Sequence, residues 1–304
     1  MSEELALERD PGAAAGVMVE AHPLVRRLIA PNAGPFTHSG TCTYVVGRGR
    51  VAVIDPGPSD GEHLLALVEA LKGETVSHIV VTHTHRDHSP GARDLKALTG
   101  APIVGCGPHR PFREVALGEA PRLDASADAE HSPDAEMREG DAIEGTGWTL
   151  RAVATPGHTA NHLCFALPEA EALFSGDHVM AWSTTIVAPP DGSMAAYMAS
   201  LEGLRGRAER IYWPGHGGPV RDPQRFLRAL VGHRRAREAG ILRRLAEGDR
   251  LIGEIVPRIY EGLPPALHGA AALSTFAHLE DLVARGLART PDETPSLTGR
   301  YEPA

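Results

Sequence analysis

The chain has 304 residues, enough for one large domain, or a large and a small one, with a sizeable core. Its 42% hydrophobic and 23% charged residues are those of an ordinary soluble globular protein, and no stretch approaches the roughly 18 apolar residues of a membrane span. A formal net charge of −9 argues against a nucleic-acid surface spread over the whole molecule; the acidic excess sits in residues 1–222, and the segment from Pro223 onward is slightly basic.

In chain order, the opening run MSEELALERDPGAAAG carries acids and lacks the apolar core of a signal peptide, so a cytoplasmic location is expected. Cys42, Cys106 and Cys164 are odd in number, widely spaced and without a CxxC pair. Neither a disulfide framework nor a thiolate zinc cage is expected, which fits a reducing compartment. Short β-branched or aromatic runs then recur: TYVVG at 43–47, VAVIDPG at 51–57, HIVVTH at 78–83, LRAVATPGH at 150–158, LFSGDH at 173–178 and IYWPGH at 211–216. Each reads as a buried strand stopped by a Gly or Pro turn. Helical patterns lie between them at 62–73, 91–100 and 195–204, the first carrying Leu64, Leu65, Leu67, Val68 and Leu71 before a Gly stop. Strands alternating with helices predict an α/β layered domain.

Residues 118–141 are acidic and rich in Ala, Pro and Ser, the composition of an exposed loop or insertion. From Pro223 the pattern turns helical, over 223–248, 251–260 and 266–288. The expected division is 1–222 and a small helical unit at 223–304, with a frayed tail from about Thr290. Arg225, Arg228, Arg234, Arg235, Arg237, Arg243 and Arg244 crowd the first of these helices, with Glu238 the only acid among them. A basic helix can track phosphates. The absence of interleaved aromatic residues favours instead an amphipathic helix packing Leu227, Leu230, Val231, Ile241, Leu242 and Leu245 on the main domain.

The densest chemistry lies in THTHRDH, Thr82–His88, with three imidazoles and a carboxylate in seven residues. On a helix His83 and His85 would diverge by about 200°. On the extended segment that HIVV predicts, residues i and i+2 share a face, and the following turn brings Asp87 and His88 toward a neighbouring point. Imidazole with carboxylate suits zinc, iron or manganese, zinc first among them, and the lack of nearby Cys disfavours a structural thiolate site. A bare HxH is more often a solvated loop. Three further donors, however, end separate strand-like runs, each beside a Gly: His158 in TPGHT, Asp177 in SGDH and His216 in WPGHG. Functional groups gather where the strands of α/β sheets end, so these seven donors can converge into two sites. Asp55 reads either as an acceptor orienting a ligand imidazole or as a turn residue before Pro56. His178 faces away from Asp177 along a strand, and His162 is the remaining histidine of most interest.

HxHxDH followed by His, Asp and His in this order resembles the metallo-β-lactamase fold superfamily over roughly residues 36–220. The resemblance implies a four-layered αββα sandwich with two divalent metal ions at one edge. It assigns His83, His85 and His158 to the first metal, Asp87, His88 and His216 to the second, and Asp177 to the bridge between them. PFTHSGTCTYVVG, HRRAREAGIL and AHLEDLVARGLA extend the resemblance to the lactamase-β-like subgroup with a C-terminal winged-helix domain. That subgroup includes an animal mitochondrial endoribonuclease and fungal polyketide thioesterases, and its GTNTY motif has Asn where this chain has Cys42.

Two metals about 3.5–4 Å apart can share a hydroxide and polarise the oxygen under attack, with Asp87 orienting that hydroxide and taking its proton. The expectation is a dinuclear metal-dependent hydrolase of RNA phosphodiesters or small-molecule acyl thioesters; other esters and lactones need the same chemistry. A secreted lactamase is disfavoured by the lack of an export signal. The contrasting class is a non-enzymatic, metal-stabilised nucleic-acid-binding protein. A purely structural site, however, fills its coordination sphere from protein and rarely uses a bridging carboxylate. No residue pattern specifies an oligomeric state.

Overall fold

The computed structural model describes residues 5–8, 13–114 and 127–304. A seven-stranded sheet runs in chain order through β1 (Val19–His22), β2 (Val25–Ile29), β3 (Cys42–Val46), β4 (Arg50–Ile54), β5 (Thr75–Val81), β6 (Ile103–Gly105) and β7 (Ala135–Glu136). Five later strands, β8 (Ala142–Gly145), β9 (Trp148–Ala154), β10 (Leu163–Leu167), β11 (Ala172–Gly176) and β12 (Ile211–Pro214), form a second sheet with β12 and β8 at its edges.

Strand β10 explains the layering. Successive side chains of LCFAL point to opposite faces. Leu163, Phe165 and Leu167 enter the core between the sheets with Val45, Val53 and Ile79, while Cys164 and Ala166 face the helices outside. Because both faces are buried, the strand alternates apolar with apolar, and its sequence lacks the polar–apolar signature. Helices α1 (Gly61–Ala70) and α2 (Gly91–Thr99) lay Leu67, Ala92 and Leu95 on the first sheet, and α3 (Met194–Leu204) lays Tyr197, Leu201 and Leu204 on the second. The result is the αββα sandwich.

Helix α4 (Pro223–Ala246) starts at Asp222, whose carboxylate accepts from Arg225 N at 3.2 Å, with proline in the first turn. It belongs to two cores. Leu227, Leu230 and Val231 pack with α3, whereas Ile241 and Leu245 pack with α5 (Ile252–Ile259), α6 (His268–Ala284) and the ribbon of β13 (Ala288–Arg289) and β14 (Glu302–Pro303).

One sequence expectation is corrected and another sharpened. The tail from Thr290 is not frayed: β14 pairs with β13, and the fully buried Tyr301 donates its N–H to Arg250 O at 2.9 Å and its hydroxyl to Ser296 O at 2.6 Å. An aromatic residue four positions from the end finds a core to enter. Of the expected loop 118–141, residues 118–126 lie outside the described residues; from Ala127 on, most of the segment is exposed as expected, but buried residues tie it to the domain. Asp128 is buried, accepts from Ser89 Oγ at 2.7 Å and pairs with Arg93 at 2.8 Å, while Ala127 bridges His85 and β7 extends the sheet. Its acidity disguised it, because Arg93 of α2 neutralises the buried carboxylate. Burial also predicts that Tyr301→Ala lowers stability by about 3 kcal/mol in denaturant titration; a frayed tail would leave the midpoint unchanged.

Candidate metal centre

The donors sit where strands end. β5 runs into His83 and His85, β9 is followed by His158, β11 by Asp177 and β12 by His216. All seven donors read from the sequence fall into two groups, each with its ligand atoms within 4.8 Å of one another: His83, His85, His158 and Asp177, and Asp87, His88 and His216. Asp177 lies between the groups, with Oδ2 3.7 Å from His158 Nε2 and 3.4 Å from His216 Nε2, and Oδ1 3.5 Å from His88 Nε2. Gly215 makes this approach possible, since a Cβ there would lie 2.5 Å from Asp177 Oδ1 and 2.6 Å from His88 Cε1.

Outer contacts decide which nitrogen of each ring faces inward. His158 Nδ1 donates to Ile186 O at 2.7 Å and His216 Nδ1 to Gly40 O at 3.3 Å, since a carbonyl can only accept. Thr82 Oγ1 gives its proton to Asp55 Oδ2 at 2.7 Å and so accepts from His83 Nδ1 at 3.0 Å. His88 Nδ1 donates to Asp55 Oδ2 at 3.0 Å. The inner nitrogens then meet: His83 Nε2 and His158 Nε2 stand 3.1 and 3.0 Å from His85 Nδ1, and His88 Nε2 stands 3.2 Å from His216 Nε2. With the outer nitrogens of His83, His88, His158 and His216 committed, their inner nitrogens are the atoms left to face a cation, as lone pairs once His88 and His216 give up their protons, and the buried Asp177 Oδ1 has no hydrogen-bond partner. Converging lone pairs beside an unpartnered carboxylate oxygen fit cations. These His and Asp groups can hold a dinuclear centre.

Electrostatics separates the groups. Burial pushes His85 down to about 3, holds His83 well below the ordinary imidazole range and lowers His158, so these rings are neutral donors. Burial also opposes charge on His88 and His216, but Asp87 and Asp177 overcome it, raising His88 well above its ordinary value and His216 to about 10. Burial would likewise raise Asp87 and Asp177; the His88 and His216 rings hold both well below the carboxylate range.

The structure resolves the residues whose roles the sequence left open. Asp55 accepts from Thr82 N at 2.8 Å as well as from Thr82 Oγ1 and His88 Nδ1, and it adopts φ +46°, a left-handed conformation costly for a non-glycine residue. A third possible donor group, Asp55 with His83 and His88, uses these committed outer atoms. His162 is no donor to the cluster: its Nε2 accepts from Asp177 N at 3.2 Å, so it braces the backbone of that residue. His178 is fully buried with neither ring nitrogen partnered and lies outside both groups. Cys42 is buried behind His216, its N–H on Gly215 O at 2.7 Å, and lines no part of the cavity. Thr82, Ile186 O and Gly40 O were not read from the sequence. Thr82 has a signal, a hydroxyl beside the first His; backbone carbonyls have none.

Residues 36–216 match the sequence profile of the metallo-beta-lactamase superfamily, and residues 252–294 that of the beta-lactamase associated winged helix domain. The chain belongs to the metallo-β-lactamase superfamily. Within that superfamily it is 32% identical to the atrochrysone carboxyl ACP thioesterase of Aspergillus terreus over 231 residues, 75% of this chain and 65% of that protein, so it spans just under two thirds of that relative. It is 30% identical to the beta-lactamase-like protein 2 homolog of Caenorhabditis elegans over 275 residues, 88% of this chain and 86% of that one. The fold is shared with a beta-lactamase domain protein from Burkholderia ambifaria (TM-score 0.77, 23% identity, 96% of this chain and 95% of that one). A metallo-beta-lactamase family protein from Thermus thermophilus shares it too (TM-score 0.74, 24% identity, 94% and 100%).

The raised His216 value sets a pH signature. Its charge–carboxylate contacts stabilise metal-free protein fully below the unfolded value of 6.5 and are lost as pH rises through about 10. Melting of chelator-treated protein is therefore expected to fall over that window. Zinc uptake at pH 8 should release protons from the Asp87–His88–His216 group and none from the neutral rings of the other, as read by an indicator dye in weak buffer.

Proposed function

We propose that this chain is a dinuclear metal-dependent hydrolase, with zinc the favoured ion, whose substrate is an acyl thioester. The observation that carries the reading is a cavity of about 370 Å³ in front of the donor cluster. Phe36, Met180 and Ile186 line it on one side, and Gly269, Ala270 and Leu273 of α6 on the other; no Lys or Arg is among its lining residues. Such walls suit an apolar acyl group and offer nothing to a chain of phosphates. Four of the seven arginines of α4 are engaged elsewhere: Arg234 with Thr185 O, Arg235 with Glu202, Arg237 with Ile259 O and Arg244 with Glu247 and Asp249. The relative from Aspergillus terreus, a thioesterase by name, points the same way.

In this reading His83, His85 and His158 would hold one cation and Asp87, His88 and His216 the other, with the Asp177 carboxylate available to both. Two divalent cations there supply Lewis acidity, polarising a carbonyl and acidifying water. Asp87 lines the cavity with Oδ2 3.1 Å from His216 Nε2, within reach of a water approaching the acyl carbon. It orients that water and takes its proton as the C–O bond forms; the C–S bond breaks, and the proton leaves with the thiol. Residues 1–222 act as the hydrolase unit and residues 223–304 as the far wall of its cleft. A reducing, cytoplasmic setting belongs to the same reading, supported by three free, buried cysteines; no helix among the described residues is long and apolar enough to cross a membrane.

Purified protein assayed in parallel on an acyl thioester, single-stranded RNA, a lactone and a β-lactam is expected to turn over the thioester and to lose that activity with chelator. RNA cleavage without thioester turnover would overturn the reading. Asp87→Ala should slow hydrolysis by about 100-fold or more with an unchanged circular dichroism spectrum. His216→Ala should leave one tightly bound zinc in place of two by elemental analysis.

A further inference from the structure

We propose that Arg234 of α4 is a positioning residue for the His158–Asp177 side of the donor cluster, acting through the backbone at Thr185 and Ile186. The inference rests on the cluster being the metal centre. Arg234 is 2% exposed, its guanidinium lies 5.0 Å from the centre of the Tyr197 ring, and its Nη2 donates to Thr185 O. No carboxylate pairs with it among the described residues. A buried cation with no counter-ion is costly, and an apolar side chain of similar volume would fill the same space between α3 and α4 without that cost. What arginine adds is a directed bond to one carbonyl, assisted by an aromatic face.

That carbonyl belongs to a segment without helix or strand, 177–193, which no ladder of backbone bonds holds. Two contacts leave it for the donor cluster. Thr185 Oγ1 donates to Asp177 O at 2.7 Å, and the next carbonyl, Ile186 O, accepts from His158 Nδ1 at 2.7 Å. Tyr197, under the guanidinium, donates its hydroxyl to His178 O at 3.0 Å, beside Asp177. Arg234 thus fixes the peptide that orients one imidazole and one carboxylate of the first group. His88 and His216 are oriented by Asp55 and Gly40 O, which Arg234 does not touch. Its influence therefore falls chiefly on the side of His158 and reaches the other only through Asp177, which lies between the groups, a bias that a merely structural role would not produce.

The test uses the full chain as Arg234→Met, Arg234→Lys and Thr185→Val, with zinc affinities from titration against a chromophoric chelator and kcat and KM on a thioester. Arg234→Met and Thr185→Val are expected to weaken one of the two zinc ions by about tenfold or more, the usual effect of losing an outer contact, and the other clearly less. In both, kcat should fall while KM holds. Arg234→Lys, which still donates to Thr185 O, should retain most of the affinity. Thr185→Val leaves the packing of α4 intact, so it answers even if Arg234→Met does not fold. Wild-type affinity for both ions in Thr185→Val, or equal weakening of both ions in any soluble variant, would overturn the proposal. A wild-type chain holding fewer than two zinc ions would instead overturn the metal-centre reading, and the role of Arg234 with it.

Discussion

Imidazole lone pairs aimed at one another repel, and the centre of this molecule is built on holding them that way. The outer nitrogens of His83, His88, His158 and His216 are each tied to an acceptor, two of them at a single point: Asp55 Oδ2 accepts directly from His88 and, through Thr82 Oγ1, fixes His83. One carboxylate at the end of β4 thereby orients a ring from each group. Its strained backbone is tolerated because Val80 O, Thr43 Oγ1 and Thr82 N all bond to it from neighbouring strands. The sheets exist at this edge to keep acceptors behind the rings, and the rings accept their mutual crowding because cations can occupy the space between them.

The sequence exposed this arrangement unevenly. His83, His85, Asp87, His88, His158, Asp177 and His216 were readable because each follows a strand-like run, the last three beside a glycine, where a polar side chain has no packing reason to be. An α/β layered domain was readable from alternating runs and turns, and its αββα order from the family resemblance. Strand β10 was not, because burial on both faces erases the period of two. Ile186 O and Gly40 O were invisible for a different reason: a carbonyl carries no residue identity, so its role follows from geometry alone. Asp128 was misread because acidity usually marks solvent, and only Arg93 on a neighbouring helix shows otherwise.

The helical C-terminal segment shows why charge counts are a weak guide to partners. Its arginine-rich first helix has the composition of a phosphate reader. Yet Arg234 is buried against Tyr197, Arg237 stacks 4.3 Å from the Tyr260 ring centre, and Arg244 is closed into a pair with Glu247 and Asp249. These three cations have become part of the packing, while Arg225, Arg228, Arg235 and Arg243 stay exposed. What the segment presents to the donor cluster is a short face of small and apolar side chains.

The uninterrupted run of α4 through both cores has a mechanical meaning. A cleft whose far wall hangs from a flexible linker can gape and close around its guest. Here the wall is carried on a 24-residue rod clamped at one end by α3 and at the other by α5 and α6. Opening the cleft would require bending that rod, so the aperture between Phe36 and Leu273 behaves as a gauge of set width. What enters then rests on what passes the gauge, and a bulkier side chain at Ala270 would narrow it directly.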